Sequence, residues 1–387
     1  MNNIEKVPSS GGPVHLHTAG VVGLGLIGGS IAKALKKRAG LTRVVGLDRK
    51  PEVLAAAIAD GAIDQGALLL PLEPGAASDP FSALTGCDVV FLCTPVDTLP
   101  ALAQRAAAHC DGILTDAGSV KLPVLQALGH LPRFIGGHPM AGSERTGYLC
   151  SSADLLEGAV YVISAPERDT PASCAQTERD AESLAELVRD MGALPMRMEA
   201  GVHDHAVAAI SHLPHAVAAA LSVLAAEQDD RVLSRLAAGG FKDITRIASA
   251  SPSLWTGICL QSAPALLPVL DAFSDVLDRF RAAIGDGDAE TLRSLFEAGA
   301  AYRSGLPASG HGALESYVTL KIQIPDQPGA LAGVASLLGE RGISIRNMDI
   351  TNVRSYESGV LRILLHDSHQ LEAAVSALTE GGYVCER

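Results

Sequence analysis

The stretch AGVVGLGLIGGS, residues 19–30, joins a short run of β-branched residues to a helical segment through regularly spaced glycines. A Gly-x-Gly-x-x-Gly pattern between strand and helix is typical of a dinucleotide-binding turn. Gly23 permits the tight turn, Gly25 lets the backbone approach a pyrophosphate, and Gly28 lets the helix pack closely on the strand. The predicted cofactor contacts at this turn are Gly23, Gly25, Leu26, Ile27 and Gly28.

Asp48 lies twenty residues after Gly28, at the end of the second predicted strand. A carboxylate there accepts hydrogen bonds from the adenosine ribose hydroxyls and repels a 2′-phosphate. The sequence therefore favours NAD over NADP. Arg49 beside it leaves NADP open as an alternative, and both residues belong to the predicted cofactor site.

Around this turn, residues 18–199 alternate β-branched runs with helical stretches, which predicts a mostly parallel sheet covered on both faces. The predicted strands are Ala19–Val22, Val44–Asp48, Asp88–Cys93, Ile113–Asp116, Arg133–Gly137, Ala159–Ser164 and Ala193–Met198. The predicted fold class of this part is an α/β Rossmann-type dinucleotide-binding domain. Residues 1–17 are predicted to be a tail.

Residues 200–303 are predicted to form an all-helical domain, because alanine and leucine recur there at helical spacing. A segment rich in Gly, Ser and Pro follows and predicts a linker over residues 304–315. Residues 316–387 alternate again in the order β-α-β-β-α-β, which predicts a ferredoxin-like α+β domain. The sequence therefore predicts three domains.

Composition excludes some classes of function. The chain of 387 residues has 43 acidic and 30 basic residues, a net charge of −13 and 4% aromatic residues, which disfavours nucleic acid as a partner. Seven scattered cysteines without a C-x-x-C pair predict reduced thiols in a cytoplasmic protein. The first twenty residues lack an apolar core, so we expect no signal peptide. The apolar stretch Ala206–Ala226 is interrupted by polar residues and predicts a buried helix pair and no membrane span.

Polar residues follow three of the predicted strands. In an open parallel sheet the ligand lies outside the carboxyl ends of the strands, so Thr94, Pro95, Ser119 and His138 should face one crevice. Thr94, Pro95 and Ser119 join the predicted cofactor contacts. His138 is the predicted general base for a hydroxyl whose carbon loses hydride, with Ser119 orienting it. The alternative is a histidine whose ring nitrogens are merely hydrogen-bonded within a turn.

The helical block carries a second polar set. His212 and His215 are three residues apart, but no cysteine or carboxylate completes a zinc site nearby, so we predict no metal and a polar wall of an active site. Further on, Lys242, Asp243 and Arg246 are costly to bury unless paired or liganded. Arg246 suits a substrate carboxylate, and an ion pair with Asp243 is the alternative.

Together these residues resemble the prephenate dehydrogenase family with an ACT domain. The resemblance covers nearly everything from Ala19 to Arg387. Its most specific pieces are GLGLIGGS (23–30), TDAGSVK (115–121), GGHPMAGSE (136–144), SHLPH (211–215) and GFKDITRIASASPSLW (240–255).

The resemblance implies NAD-dependent oxidation and decarboxylation of prephenate to 4-hydroxyphenylpyruvate, as a step of tyrosine biosynthesis. His138 would accept the proton of the ring hydroxyl, Ser119 would hold the two in line, and Arg246 would anchor a substrate carboxylate. The implied substrate-binding residues are Arg246, His203, His215, Gly239, Trp255 and Glu144.

The resemblance also implies a homodimer, formed by apolar helices such as Ala206–Ala226, and feedback by an amino acid bound to the ACT domain. The implied effector is tyrosine, with phenylalanine or tryptophan as alternatives and a purely structural, dimerising module as another. The implied regulatory residues are Asp326, Gln327, Pro328, Gly329, Ala330, Leu331 and Asn347.

Three alternative functions remain open on the sequence. Arogenate dehydrogenase differs only at the side-chain end of the substrate, where Glu144 or Asp243 could favour an amino group. A β-hydroxyacid dehydrogenase has the same two-domain plan but uses a lysine base where this chain has histidines. A catalytically inactive amino-acid sensor would have no reason to retain Asp48, Ser119, His138 and Arg246 together.

Overall fold

The structure is a computed structural model, which describes residues 14–69, 79–142, 145–229, 232–306, 318–325, 327–345, 347–351, 358–365 and 368–386. The chain divides into two compact units, Met1–Asp286 and Gly287–Arg387. Each unit has its own sheet, and they are described separately.

An eight-stranded sheet forms the centre of the first unit. Its strands are β1 (Thr18–Val22), β2 (Arg43–Asp48), β3 (Gln65–Leu68), β4 (Val89–Leu92), β5 (Ile113–Asp116), β6 (Phe134–Pro139), β7 (Val160–Ser164) and β8 (Leu194–Arg197). They lie in the order β3-β2-β1-β4-β5-β6-β7-β8, and every neighbouring pair is parallel except β6 and β7. The predicted mostly parallel sheet is confirmed.

Strand β3 was not among the predicted strands. Its sequence, Gln-Gly-Ala-Leu, contains no β-branched or aromatic residue, so local propensity gives no sign of a strand there. Its position at the edge of the sheet, paired only with β2, makes it a strand.

Helices cover both faces of this sheet, because consecutive strand residues point to opposite sides. The helices are α1 (Leu26–Lys37), α2 (Pro51–Ala59), α3 (Leu99–Ala107), α4 (Leu122–Leu128) and α5 (Pro171–Asp190). Val21 packs in one buried cluster with residues of α1, α2 and α5, whereas Val22 packs in another with residues of α3 and α4. Burial on both faces explains why the strands are continuously apolar.

The rest of the first unit is helical, as predicted. It consists of α6 (Ala200–Val207), a π-helical turn (Ala208–His212), α7 (Leu213–Gln228), α8 (Leu233–Leu236), α9 (Gly239–Thr245), a 3₁₀ turn (Arg246–Ser249), α10 (Pro252–Gln261) and α11 (Ala263–Asp286). The π-helical turn joins α6 and α7 into one long helix. Single π turns of this kind are frequent at functional sites.

The long helix Ala200–Gln228 is apolar but largely uncovered. Its mean hydropathy is 1.6, only 22% of its apolar window is buried, and by length and composition it could cross a membrane. The bent pair of α10 and α11, at 93°, passes the same test only if taken together. The predicted burial of this stretch is therefore wrong within one chain. Apolar composition indicates that a helix needs covering, but it does not specify what covers it.

The second unit is built on a four-stranded antiparallel sheet. It contains α12 (Ala289–Gly305), β9 (Val318–Pro325), α13 (Ala330–Glu340), β10 (Asn347–Thr351), β11 (Ser358–Leu365), α14 (Ser368–Glu380) and β12 (Cys385–Glu386). The strand order is β10-β11-β9-β12, and the predicted β-α-β-β-α-β arrangement is confirmed. Helix α12 includes the first two residues of the predicted linker, most of which lies outside the described residues.

Candidate active site

The glycine turn has the geometry that its sequence predicts. Gly23 has φ of +91°, and a Cβ there would lie 2.8 Å from the carbonyl oxygen of Cys93. A Cβ on Gly28 would collide with the carbonyl oxygen of Gly23, so that helix α1 can pack against β1 only without a side chain. At Gly25, which directly precedes α1, a Cβ would have no atom of the described residues within 4 Å. The backbone at Gly25 is therefore open to a ligand.

Asp48 is held beside this turn by two backbone amides. Its Oδ2 accepts a hydrogen bond from Leu24 N at 2.8 Å, and its Oδ1 accepts one from Lys50 N at 2.9 Å. The carboxylate is half-buried at the end of β2, while Arg49 is exposed. Each oxygen retains a lone pair for a hydroxyl group.

The predicted residues after β4 lie beside the same turn. The Thr94 methyl carbon would be 2.8 Å from a Cβ on Gly23, and the Thr94 hydroxyl accepts a hydrogen bond from Thr98 at 2.9 Å. Pro95 follows at an exposed position. An open helix N-terminus, a fixed carboxylate and a turn without side chains fit a dinucleotide such as NAD.

His138 is in β6 and is buried, with 8% of its surface exposed. Its Nδ1 lies 2.8 Å from His203 Nε2, and the two rings meet edge to face. His203 Nδ1 in turn lies 2.7 Å from the Asp204 carboxylate. A chain of three side chains therefore links the predicted base to helix α6.

Ser119 does not make the predicted contact with His138. Ser119 is half-buried, and within the described parts of the chain no hydrogen bond joins the two side chains. The Nδ1 partner of His138 is His203, which comes from a helix 65 residues further along the chain. Glu144, also a predicted site residue, lies outside the described residues.

A buried ion pair lies next to His138. The Lys121 ammonium pairs with the Asp116 carboxylate at the end of β5, and both side chains are fully buried. Asp116 also accepts hydrogen bonds from Gly118 N at 2.9 Å and Gly137 N at 3.1 Å. Both charged residues lie in the TDAGSVK motif, which is the only signal in the sequence that could have pointed to them.

The buried position of His138 keeps its imidazole neutral. Burial lowers the pKa of His138 well below its usual value, and the positive charge of Lys121 lowers it further. A general base must be unprotonated before it reacts, so this environment favours the reactive form over a wide range of pH.

Two more histidines flank Trp255. His215 stacks on Trp255 with ring centroids 3.5 Å apart, and its Nδ1 donates a hydrogen bond to Ser211 O at 2.9 Å. Burial lowers the pKa of His215, and the positive charge of Arg246 lowers it further. The structure thus brings three predicted substrate-binding residues, His215, Trp255 and Arg246, to one place.

His212, predicted with His215 to form a polar wall of the active site, lies beside Trp255. It is 1% exposed, meets Trp255 edge to face, and neither ring nitrogen has a hydrogen-bond partner among the residues described. Burial lowers its pKa to about 4. The nearby Asp204 carboxylate opposes this shift but does not outweigh burial.

The segment that contains Lys242, Asp243 and Arg246 is not buried, contrary to expectation. Lys242, Asp243 and Arg246 are all exposed in this chain, as is Gly239 at the start of α9. The segment lies on α9 and the 3₁₀ turn, and no buried residue occurs in either element. The cost of burying these charges therefore gives no evidence for a bound ligand. The support for Arg246 as a substrate contact is its proximity to His215.

The parallel sheet, the glycine turn and the Asp48 carboxylate held by two amides define the class of dinucleotide-binding proteins. Family models of the prephenate dehydrogenase nucleotide-binding and dimerization domains match residues 31–193 and 199–298, and an ACT domain model matches residues 318–380. The chain belongs to the prephenate dehydrogenase family and includes an ACT domain. It is an NAD-dependent oxidoreductase.

Individual relatives agree with this assignment. The prephenate dehydrogenase of Bacillus subtilis (strain 168) is 34% identical over 93% of this chain and 96% of its own length. A structure of prephenate dehydrogenase from A. aeolicus in complex with hydroxyphenyl propionate and NAD⁺ has a TM-score of 0.64 at 28% identity, covering 75% of this chain and 99% of that one. Synechocystis arogenate dehydrogenase has a TM-score of 0.60 at 30% identity, covering 74% and 99%. The family, fold class and cofactor predicted from the sequence are confirmed.

Proposed function

We propose that this chain catalyses the NAD-dependent oxidative decarboxylation of prephenate to 4-hydroxyphenylpyruvate, with His138 as the general base. The observation that carries the proposal is the buried, neutral imidazole of His138 at the carboxyl end of β6, in the same sheet whose strand β1 leads into the glycine turn. A base in that place meets the substrate next to the nicotinamide end of the cofactor.

His138 accepts the proton of the ring hydroxyl through Nε2, since Nδ1 is occupied by His203. The chemistry that NAD⁺ supplies when bound is that of a hydride acceptor. The carbon bearing the hydroxyl thereby becomes a carbonyl carbon. The bond to the ring carboxylate then breaks, CO₂ leaves, and its electron pair restores the aromatic ring and places negative charge on the oxygen. His138 returns the proton to that oxygen, so it shuttles one proton and ends neutral.

The two carboxylates of the substrate need positive or hydrogen-bonding partners. Arg246 supplies a guanidinium fork, and His215 with the face of Trp255 forms the adjoining wall. A strong ion pair on the departing carboxylate would stabilise the ground state and oppose its loss. Arg246 therefore serves better on the side-chain carboxylate.

Arogenate is the second candidate substrate. The observation that favours it is the likeness to Synechocystis arogenate dehydrogenase at 30% identity. Arogenate carries an amino group where prephenate has a keto oxygen, and an acidic neighbour would favour it. Asp243 is exposed on α9 and lies three residues before Arg246, so it is within one helical turn of the proposed carboxylate anchor.

The working form is a homodimer. The long helix Ala200–Gln228 leaves most of its apolar surface uncovered in one chain, and the matching family model is that of a dimerization domain. Its alanines allow close approach of a second copy. A cytoplasmic location is supported by all seven cysteines being free thiols.

Tyrosine acts as a feedback inhibitor through the ACT domain. Gly329, with φ of +89°, starts α13 next to an exposed stretch containing Gln327, Pro328 and Leu331, and Asn347 is exposed at the start of β10. Helix N-terminal amides receive carboxylates, as an amino acid would offer. Asp326 of this predicted site lies outside the described residues.

The experiment is NADH formation with purified full-length chain, run on prephenate and on arogenate, with NAD⁺ or NADP⁺ and with or without tyrosine. We expect turnover on prephenate with NAD⁺, and its reduction by tyrosine. Turnover on arogenate alone would identify arogenate as the substrate and leave the role of His138 as base unchanged. Turnover on neither would refute the proposal. Light scattering on the same sample should give twice the mass of one chain.

A further inference from the structure

With both imidazoles neutral, the hydrogen bonds around His203 have one consistent direction. The Asp204 carboxylate can only accept, so His203 Nδ1 carries the proton in their 2.7 Å contact. A neutral His203 then has a bare Nε2, which must accept the hydrogen bond from His138 Nδ1 at 2.8 Å. It follows that His138 is protonated on Nδ1 and bare on Nε2.

Asp204 is fixed in place independently of the histidines. Its Oδ1 accepts a hydrogen bond from Lys121 N at 2.7 Å, and its Oδ2 accepts one from Leu122 N at 2.9 Å. These amides begin helix α4, which directly follows the strand end that carries Asp116. Asp204 is 5% exposed, and these two amides hold its carboxylate beside His203.

We propose that Asp204 and His203 are positioning residues that hold His138 in the tautomer whose Nε2 is free to accept the substrate proton. This rests on the proposed role of His138 as base. Both nitrogens of His203 are used within the protein, so His203 acts through His138 and not as a direct substrate contact. The arrangement resembles a catalytic triad, with a second histidine between the carboxylate and the base.

The positive charge formed on His138 can also move to His203, away from the substrate. When Nε2 takes the substrate proton, the Nδ1 proton faces the bare Nε2 of His203, and the Asp204 carboxylate stabilises positive charge on either ring. The other charged or titratable groups facing His138 are Lys121 with Asp116, and His212. Asp204 supplies the negative charge for this series of hydrogen-bonded side chains, because Asp116 is already paired with Lys121.

The test uses His203→Leu, His203→Gln and Asp204→Asn in the full-length chain, with His205→Gln as the control. His205 is exposed on the same helix and makes none of these contacts. Glutamine can accept from His138 through its carbonyl and donate to Asp204 through its amide, whereas leucine can do neither. We expect kcat to fall by about 10²–10⁴-fold in His203→Leu and Asp204→Asn, and to be restored at least about tenfold in His203→Gln relative to His203→Leu.

The second readout needs no substrate. ¹⁵N spectra of histidine-labelled enzyme distinguish the tautomers, and we expect His138 to carry its proton on Nδ1 in the wild type and in His205→Gln, and to lose that preference in His203→Leu. A wild-type His138 protonated on Nε2 would overturn the proposal, even if the variants fail to fold. So would a His203→Leu variant with wild-type kcat, or a glutamine variant as impaired as leucine. Failure of the wild type to use prephenate would count against the proposed function instead, because the tautomer is measured without substrate.

Discussion

Asp48 and Leu24 are joined by a hydrogen bond of 2.8 Å from the Leu24 amide to the Asp48 carboxylate. This contact fixes the end of the second strand to the glycine turn, so the carboxylate predicted to bind the ribose and the backbone predicted to receive the pyrophosphate are held together. Cofactor preference and the shape of the turn are therefore expected to depend on the same carboxylate.

Replacing Asp48 should change cofactor preference. We expect Asp48→Ser to lower kcat/KM for NAD⁺ by roughly 10–100-fold, because charge-assisted hydrogen bonds to the ribose are lost. The ratio of kcat/KM for NADP⁺ to that for NAD⁺ should rise, because the repulsion of a 2′-phosphate is removed. Glu52→Gln removes an exposed negative charge from the neighbouring helix α2 and is the control. An unchanged ratio in Asp48→Ser would show that Asp48 does not select the cofactor.

Gly25 and Gly28 offer a matched pair that separates binding from folding. Gly25→Ala adds a methyl group where no protein atom lies within 4 Å, so thermal stability should be unchanged and NAD⁺ affinity should fall. Gly28→Ala forces α1 away from the turn and should cost about 1–3 kcal/mol of unfolding free energy. Melting curves and NAD⁺ titrations measure both effects. Equal losses of stability in the two variants would contradict this division.

His138→Asn tests the general base. We expect kcat with prephenate to fall by about 10²–10⁴-fold, the usual contribution of a positioned base, while NAD⁺ affinity remains near that of the wild type. Fluorescence titration with NAD⁺ and steady-state kinetics measure the two quantities. His130→Asn removes another histidine of the same domain and should behave as the wild type. Full activity in His138→Asn would exclude His138 from the mechanism.

Arg246→Gln should act mainly on substrate binding. Loss of a charged hydrogen bond of about 1.5–3 kcal/mol should raise KM for prephenate by roughly 10–100-fold and leave KM for NAD⁺ unchanged. Arg235→Gln, an exposed arginine on α8, is the matched control. If KM for prephenate is the same in both variants, Arg246 does not anchor the substrate.

Acid should destabilise the first unit through its buried histidines. The pKa of His212 falls from 6.5 to about 4 on burial, and the pKa of His138 is also lowered. As pH falls below 6.5 the unfolded chain therefore binds more protons than the folded chain, and stability decreases. His212 alone should account for about 2 kcal/mol at pH 5.

The change His212→Leu isolates this effect, since neither ring nitrogen has a partner among the described residues to lose. Urea unfolding at pH 7.5 and pH 5 should give a smaller difference in unfolding free energy for His212→Leu than for the wild type. The matched change His205→Leu, at an exposed position, should leave the wild-type difference intact. The same pH difference in His212→Leu and the wild type would mean that His212 is not held neutral by burial.

Much of the fold could be predicted because it depends on the spacing of residue types within short segments of the sequence. Alternating β-branched runs predicted seven of the strands of the first sheet, and the glycine spacing placed the cofactor turn. The edge strand β3 was not predictable, because its residues have no strand propensity and only pairing with β2 orders them. The predicted burial of Ala206–Ala226 does not occur within one chain, because hydropathy does not say which surface covers a helix.

The amino-acid order is enough to predict the chemical groups of this protein: a dinucleotide turn, a carboxylate twenty residues beyond it, and a histidine at the end of a parallel strand. The surroundings of that histidine arise only when the chain is folded. The contacts that we propose set its tautomer come from His203 and Asp204, and His203 lies 65 residues further along the chain. A tautomer depends on which groups surround both ring nitrogens, and those neighbours meet only when the chain is folded.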